Sequence, residues 1–254
     1  RQGGKRDQKD DKKQKSSNRK TVKNLARRKH FKKMYRLERH LYKKLKDVRG
    51  KRSHVFKLAS RELRTQIGQK NFFLDGLKRS HKYLHAMENI FASNNLPLEL
   101  TRIPFVESSF NEKAQSKVGA SGIWQIMPRT GKHYAIVNKY IDERNSPLKA
   151  SRISAKILRR YYRSLKSWPL AVTAYNNGLG NIRKAIRRSK TRLLNKLIYR
   201  NKHKGAFKFA SSNFYTSFLA ALHAEKYHQE IFNPQNINQD KKLYKHEVIL
   251  TKSM

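Results

Sequence analysis

The chain has 254 residues and carries 60 Lys and Arg against 17 Asp and Glu, a formal net charge of +43. Such an excess calls for an anionic partner or surface, whether nucleic acid, acidic lipid or an acidic wall polymer, and charge alone does not choose among them. The absence of cysteine excludes a disulfide framework, and no uninterrupted apolar run reaches the ~20 residues of a membrane-spanning helix.

Residues 1–54 hold 23 Lys and Arg against 5 Asp and Glu. The opening stretch, RQGGKRDQKDDKKQKSSNRK, has almost no apolar side chains to offset the entropy of ordering, so a disordered basic tail is expected. The chain starts at Arg1 rather than Met, which reads as a processed or trimmed chain from which a targeting segment was removed. From Thr21 to Val48 a weak helical period (Leu25, Phe31, Met34, Tyr35, Leu41, Tyr42, Leu45, Val48) predicts a basic amphipathic helix. Either it packs on the rest of the protein or it lies on an acidic surface.

Residues 53–77 read as a further helix, with Val55, Phe56, Ala59, Leu63 and Ile67 on one side. Ser80 is placed to cap the next, which carries Tyr83, Leu84, Met87, Ile90 and Phe91 and should stop at Asn94-Asn95. Pro97 suits the first turn of a helix running to about Ser108, with a break or kink expected at Pro104. Residues 111–131 are punctuated by Gly119, Gly122, Pro128 and Gly131 and read as loop. A helix is expected from Pro147 to about Leu165, another from Pro169 to Tyr175, and a strongly apolar one over 212–227. Between the last two, residues 181–208 carry 11 Lys and Arg and no acid. The only candidate strand, KHEVILTK near the end, would need a partner.

The common catalytic and metal-binding signatures are missing: no cysteine ligand set, no His-Glu-x-x-His, no phosphate-binding glycine loop, no serine elbow. The ten His are mostly flanked by Lys or Arg and read as surface residues. Asp142 and Glu143 read as turn and cap groups. Glu107 stands apart. In RIPFVESSF (102–110) a scarce acid follows Ile103, Pro104, Phe105 and Val106, with Phe110 close behind. A carboxyl desolvated by such neighbours is raised in pKa and can donate a proton near neutral pH. The plain alternative is a surface acid beside a core helix.

Two segments follow in order, GASGIWQIMPRTG (119–131) and AVTAYNNG (171–178). With LPLELTRIPFVESSF (96–110), they closely resemble the catalytic domain of lytic transglycosylases. That is the soluble-lytic-transglycosylase fold, related to goose-type lysozyme, and the chain looks most like its membrane-bound lytic murein transglycosylase D group. The resemblance covers about residues 80–227 and implies an all-α, lysozyme-like domain.

By the resemblance Glu107 is the catalytic acid, with Ser108 supporting it. Gly122, Trp124 and Gln125 match the motif whose Gln lines the sugar groove. Ala174, Tyr175 and Asn176 match the Ala-Tyr-Asn motif that orients the Glu and the substrate. Trp124 and Ile126 read equally as core, and Tyr175 to Gly178 as a helix end. The sequence departs from the family in the last helix, where Phe214 takes the matching aromatic place and Tyr215 is shifted by one. Leu179 and Ser146 also replace residue types common in the family.

The expected organisation is a basic, partly disordered segment at 1–52, a helical extension at 53–79, the catalytic domain at 80–232 and a tail at 233–254. The implied activity is cleavage of the MurNAc-GlcNAc β-1,4 bond of peptidoglycan with closure of a 1,6-anhydromuramyl ring. One Glu serves as acid and then base, and no metal or cofactor is required. The alternatives are a muramidase hydrolase on the same fold and a basic nucleic-acid-binding protein. The expected partners are peptidoglycan strands, with other anionic envelope polymers or a membrane surface engaged by the basic segment. Nucleic acid is the lesser reading, and the protein is expected to be a monomer in the bacterial periplasm or envelope.

Overall fold

The computed structural model describes residues 69–201 and 209–232, together with Ser16 and Lys20. The expected tail and basic helix of 1–52, most of the 53–77 helix and the KHEVILTK strand lie outside the described residues. The chain divides into two units, Arg1–Asn71 and Phe72–Met254. The residues that build the core belong to the second unit, and the first described helix begins at Gln69.

That helix, α1 (Gln69–Ala92), is continuous where two helices meeting at Ser80 were expected. Ser80 is no cap. It is buried, and its hydroxyl donates to the Leu77 carbonyl at 2.8 Å, satisfying itself within the helix. The helix ends where Asn94-Asn95 predicts, with Asn95 in the left-handed conformation that asparagine tolerates (φ 52°). The expected break also appears. A 3-10 turn (Leu98–Arg102) gives way to the short α2 (Ile103–Glu107), because Pro104 fits only the first turn of a helix.

Residues 111–127 form the expected irregular loop, closed by isolated bridges from Ser121 to Gln115 and Ile126, and α3 (Pro128–Gly131) is one turn. A 3-10 turn (Glu143–Asn145) leads into α4 (Pro147–Leu165), then α5 (Trp168–Asn177). Both begin with proline in the first turn, and α5 stops at Gly178 (φ 86°). The basic stretch resolves into α6 (Leu179–Ser189) and α7 (Leu194–Asn201). Then come α8 (Phe209–Lys226) and the short α9 (His228–Phe232). No named strand occurs among the described residues, and the all-α expectation holds for them.

The main core joins Met87 and Phe91 of α1, Ile103, Phe105, Phe110, Trp124, Leu158 of α4, Val172 of α5 and Phe214 of α8. Helix α5 is the centre of the packing: α4, α6 and α8 all lie against it, and α8 also covers α2. A second, smaller core of Leu165, Leu170, Ala174, Ile182, Ala185 and Leu197 holds α6 and α7. Among the described residues, no helix is long and apolar enough to cross a membrane.

Candidate active site

Helix α2 ends at Glu107, and the backbone then turns sharply. Ser109 (φ 48°) and Phe110 (φ 56°) are both left-handed, a conformation that costs a non-glycine residue about 1 kcal/mol. The Pro104 carbonyl accepts from both the Ser108 amide (3.0 Å) and the Phe110 amide (3.3 Å). Burial of Phe110, edge-on to Phe105 at 4.7 Å between ring centres, offsets the strain. The turn leaves Glu107 at the end of a rigid hook.

The 119–126 loop is fastened to that hook and to α5 through its carbonyls. Buried Ser108 donates from Oγ to the Ile123 carbonyl (2.8 Å), and Tyr175 donates from Oη to the Trp124 carbonyl (2.9 Å). Ser154 of α4 lies 3.0 Å from the same Tyr175 oxygen. With the only phenolic hydrogen spent on Trp124, Ser154 is the donor. One turn earlier, Ser151 accepts from the Trp124 indole N–H at 2.9 Å. Two serines on one face of α4 therefore hold the two aromatic residues of separate motifs. Trp124 itself is core: it has no exposed surface and stacks on Phe91 with 5.7 Å between ring centres.

The other end of the loop is held by Arg144. Its guanidinium donates to the Gly119 and Ile126 carbonyls (both 2.7 Å) and forks onto Asp142 (2.9 and 2.6 Å). The backbone here comes so close that a Cβ on Gly122 (φ 74°) would stand 2.2 Å from the Arg144 carbonyl oxygen, so only glycine fits. Asp142 and Glu143 are the turn groups the sequence suggests. Asp142 accepts from the Arg144 amide at 3.1 Å, and Glu143 accepts from the Ile136 amide at 2.9 Å and pairs with Lys149.

The electrostatics separate Glu107 from these acids. It keeps a little accessible surface, yet its carboxyl has no hydrogen-bond or ionic partner among the described residues, and burial pushes it up from 4.5 to about 8. Tyr175 is held well above its ordinary range by burial and, after that, by the nearby Glu107. Its hydrogen is committed to Trp124, so it offers Glu107 no proton. Asp142 moves the opposite way, lowered chiefly by its hydrogen bonds to Arg144.

The remaining expected site residues differ in how much they keep for a ligand. Gln125 sits in the loop with φ 47°, and its amide nitrogen donates to the Ala114 and Gly122 carbonyls (both 3.0 Å). Only its oxygen is left to a ligand, so the two-way hydrogen bonding expected of it is reduced to accepting. Asn176 is exposed on α5, and its oxygen accepts from Ser211 of α8 at 2.9 Å. Tyr215 lies on α8, which packs on both α2 and α5. Burial raises its phenol, and its hydroxyl has no partner among the described residues. Ser151, Ser154 and Arg144 were not singled out from the sequence. The serines carried a signal: polar residues standing within the apolar stripe of Ala150, Ile153 and Ile157. No group of acids and histidines that could hold a metal occurs among the described residues.

Comparison with known proteins agrees with the resemblance read from the motifs. Residues 87–198 match the family "Transglycosylase SLT domain", a span that contains Glu107, the 119–126 loop and the Tyr175 motif but not Tyr215. The chain is 33% identical over 128 residues to membrane-bound lytic murein transglycosylase D of Escherichia coli K12, covering 50% of this chain and 28% of that protein. It is 30% identical over 126 residues to a putative tributyltin chloride resistance protein of Alteromonas sp., covering 49% of this chain and 60% of that one. A solved structure of an inactive mutant of the lytic transglycosylase Slt from Pseudomonas aeruginosa aligns at a TM-score of 0.47 and 21% identity, over 60% of this chain and 25% of that one. The chain thus spans less than a third of the Escherichia coli relative.

Proposed function

With residues 87–198 matching the transglycosylase SLT domain as the premise, we propose that this protein is a peptidoglycan lytic transglycosylase with Glu107 as its single catalytic group. The observation that carries the reading is the state of Glu107: a carboxyl without a partner, lifted by burial to about 8, held on a strained helix end inside the matched segment. Such a group is protonated at neutral pH and able to give its proton to a leaving oxygen.

The scheme follows from one acid. Glu107 protonates the glycosidic oxygen of the MurNAc-GlcNAc β-1,4 bond as C1 of the muramyl residue gains positive charge. The substrate's own N-acetyl group stabilises that charge. The departing sugar leaves Glu107 as a carboxylate, which takes the proton of the muramyl 6-hydroxyl. The hydroxyl oxygen attacks C1, and a 1,6-anhydro ring closes. The carboxylates around the loop support a one-acid scheme, because each has other work: Asp142 on Arg144, Glu143 on Lys149, Glu112 facing Lys82 at 3.7 Å. We place Ser108, Gly122, Gln125, Tyr175, Asn176 and Tyr215 around the glycan. Gln125 offers an acceptor, Gly122 a close-approaching backbone, and Ser108 and Tyr175 hold the loop against Glu107. Tyr215 rests on the packing of α8 alone.

We place the catalytic domain at 80–232 and a helical extension at 53–79. The basic segment at 1–52 is assigned to anionic envelope polymers or a membrane surface, the tail to 233–254, and the protein to the bacterial periplasm or envelope as a monomer. The test is digestion of purified peptidoglycan followed by mass spectrometry. Fragments with 1,6-anhydromuramyl ends are expected. Ordinary reducing ends would make the enzyme a hydrolase, and no release at all would overturn the reading.

A further inference from the structure

Helices α6 and α7 carry a surface that the cleavage scheme does not use. No acid occurs anywhere in 181–208. Several of its cations are consumed by the fold. Arg188 donates to the Asn201 side chain, Arg192 to the Leu165 carbonyl and Arg200 to the Ser189 carbonyl, closing the helix ends around the small core. Others are left over: the side-chain cations of Lys184, Arg187, Lys190 and Lys196 have no hydrogen-bond or ionic partner among the described residues, the Lys196 backbone amide alone donating to the Asn195 Oδ1 at 2.8 Å.

On α7 the buried positions are Leu197 and Asn201, with Leu194 and Ile198 half-buried beside them. The remaining positions of the helix, Asn195, Lys196, Tyr199 and Arg200, are all exposed, as are Arg192 and Leu193 just before it. Tyr199 is 82% exposed and Leu193 57%, high for apolar rings and chains in a protein this polar. Asn195, Lys196, Tyr199 and Arg200 together line a shallow concavity of about 380 Å³. An exposed ring flanked by an amide and two cations, in a segment without acids, is complementary to a ligand with a flat apolar face, amides and negative charge.

We propose that this face of α7 is an auxiliary contact for the peptide-bearing glycan strand, outside the cleavage site. The Tyr199 ring lies against a sugar face. Lys196 and the unused part of the Arg200 guanidinium take carboxylates of the stem peptides. Asn195, whose Oδ1 already accepts from the Lys196 amide at 2.8 Å, donates from Nδ2 to an N-acetyl carbonyl. The proposal rests on the wall as substrate. It adds that the strand is gripped by its charged peptides as well as its sugars.

The test separates the two readings. The full chain carrying Glu107→Gln, which leaves the wall intact, is sedimented with insoluble peptidoglycan at rising salt. The same measurement is made with Lys196→Glu and Tyr199→Ala added together. A loss on the order of tenfold in affinity is expected, the worth of about 1.4 kcal/mol. Lys156→Glu, at an exposed position of α4, makes the same charge change elsewhere and is expected to bind normally. Unfolding midpoints are measured for each, and Lys196→Arg with Tyr199→Phe, which keep charge and ring, should restore binding. Unchanged binding by the double variant overturns the proposal, as does an equal loss in Lys156→Glu, which would reduce the effect to bulk charge. So does a loss confined to single-stranded DNA or anionic phospholipid vesicles run alongside, each of which would name a different partner. Failure of the wild type to release wall fragments would count against the cleavage reading alone, because binding is read separately.

Discussion

Glu107 and Asp142 belong to two regions that hold the same loop, and the protein treats them in opposite ways. At the Asp142 turn every charge is matched: the carboxylate has a forked guanidinium and a backbone amide, and its proton affinity falls. At the end of α2 the acid has apolar neighbours and no partner, and its proton affinity rises to about 8. In a chain with 43 excess positive charges a cation could have been supplied. A structural acid lowers the energy of the folded state by being paired. Glu107 raises that energy and is tolerated on a hook of backbone that is itself strained.

The contrast meets its severest test at Glu107. Glu107→Gln should fold, bind glycan and lose at least about a hundredfold in release of anhydro fragments, the lower end of what general acid catalysis contributes. Wild-type kcat/KM should fall as pH rises through about 8, because the proton donor is then lost. Stability must run the same way. The folded value lies above the ordinary 4.5, so the native state holds the proton longer than the unfolded one, and stability declines between those values as pH rises. The Gln variant should escape that decline and exceed the wild type by up to about 5 kcal/mol above pH 8, read by denaturant unfolding. A wild-type-like fragment yield would remove Glu107 from the chemistry.

Arg144→Met leaves Asp142 and two loop carbonyls without their donor. A loss of about 3 kcal/mol in stability is expected, the low end for breaking a buried pair because Asp142 is partly exposed. Gln125→Ala should cost about 1–3 kcal/mol in catalytic efficiency. Part of this arises from freeing the Ala114 and Gly122 carbonyls, so Gln125→Glu, which loses those donors but keeps an acceptor, is the variant that separates positioning from contact.

Asp142→Asn keeps the shape and removes the charge. It should cost about 1 kcal/mol at neutral pH. Here the sign is reversed from Glu107. The folded value lies below the ordinary one, so the contribution is present above the unfolded value and disappears as pH falls through the folded value. The difference between wild type and Asp142→Asn should therefore vanish in acid. Ser154→Ala is the mildest change, about 1 kcal/mol in kcat/KM through a looser Tyr175, with Ser154→Thr restoring it. An unmoved kcat/KM for Ser154→Ala would mean that Trp124 alone holds the ring.

Much of this was legible in the residues. Periodicity and the prolines located α4, α5 and α8 and the break before Pro104, because proline and helical spacing act locally. The three motifs pointed to the family, and the apolar run around Glu107 anticipated its raised proton affinity. Ser80 misled because a serine before an apolar stripe looks like a cap, whereas within a helix it can return its hydroxyl to the preceding turn. Helices α6 and α7 were hidden by charge. Their apolar residues are few, and they become a stripe only when Leu165, Leu170 and Ala174 supply the other half of a core.

The helical class, the motif order and the greasy setting of one acid are properties of neighbours along the chain, and the residues alone establish them. Packing was needed before the Trp124 carbonyl could take the Tyr175 proton and leave Ser154 as donor, before Arg144 could clamp the loop against Gly122, and before Gln125 was left with only its oxygen to offer. Those arrangements depend on hydrogen bonds between residues as much as 51 positions apart, and direction and distance across such a gap exist only once the helices have packed.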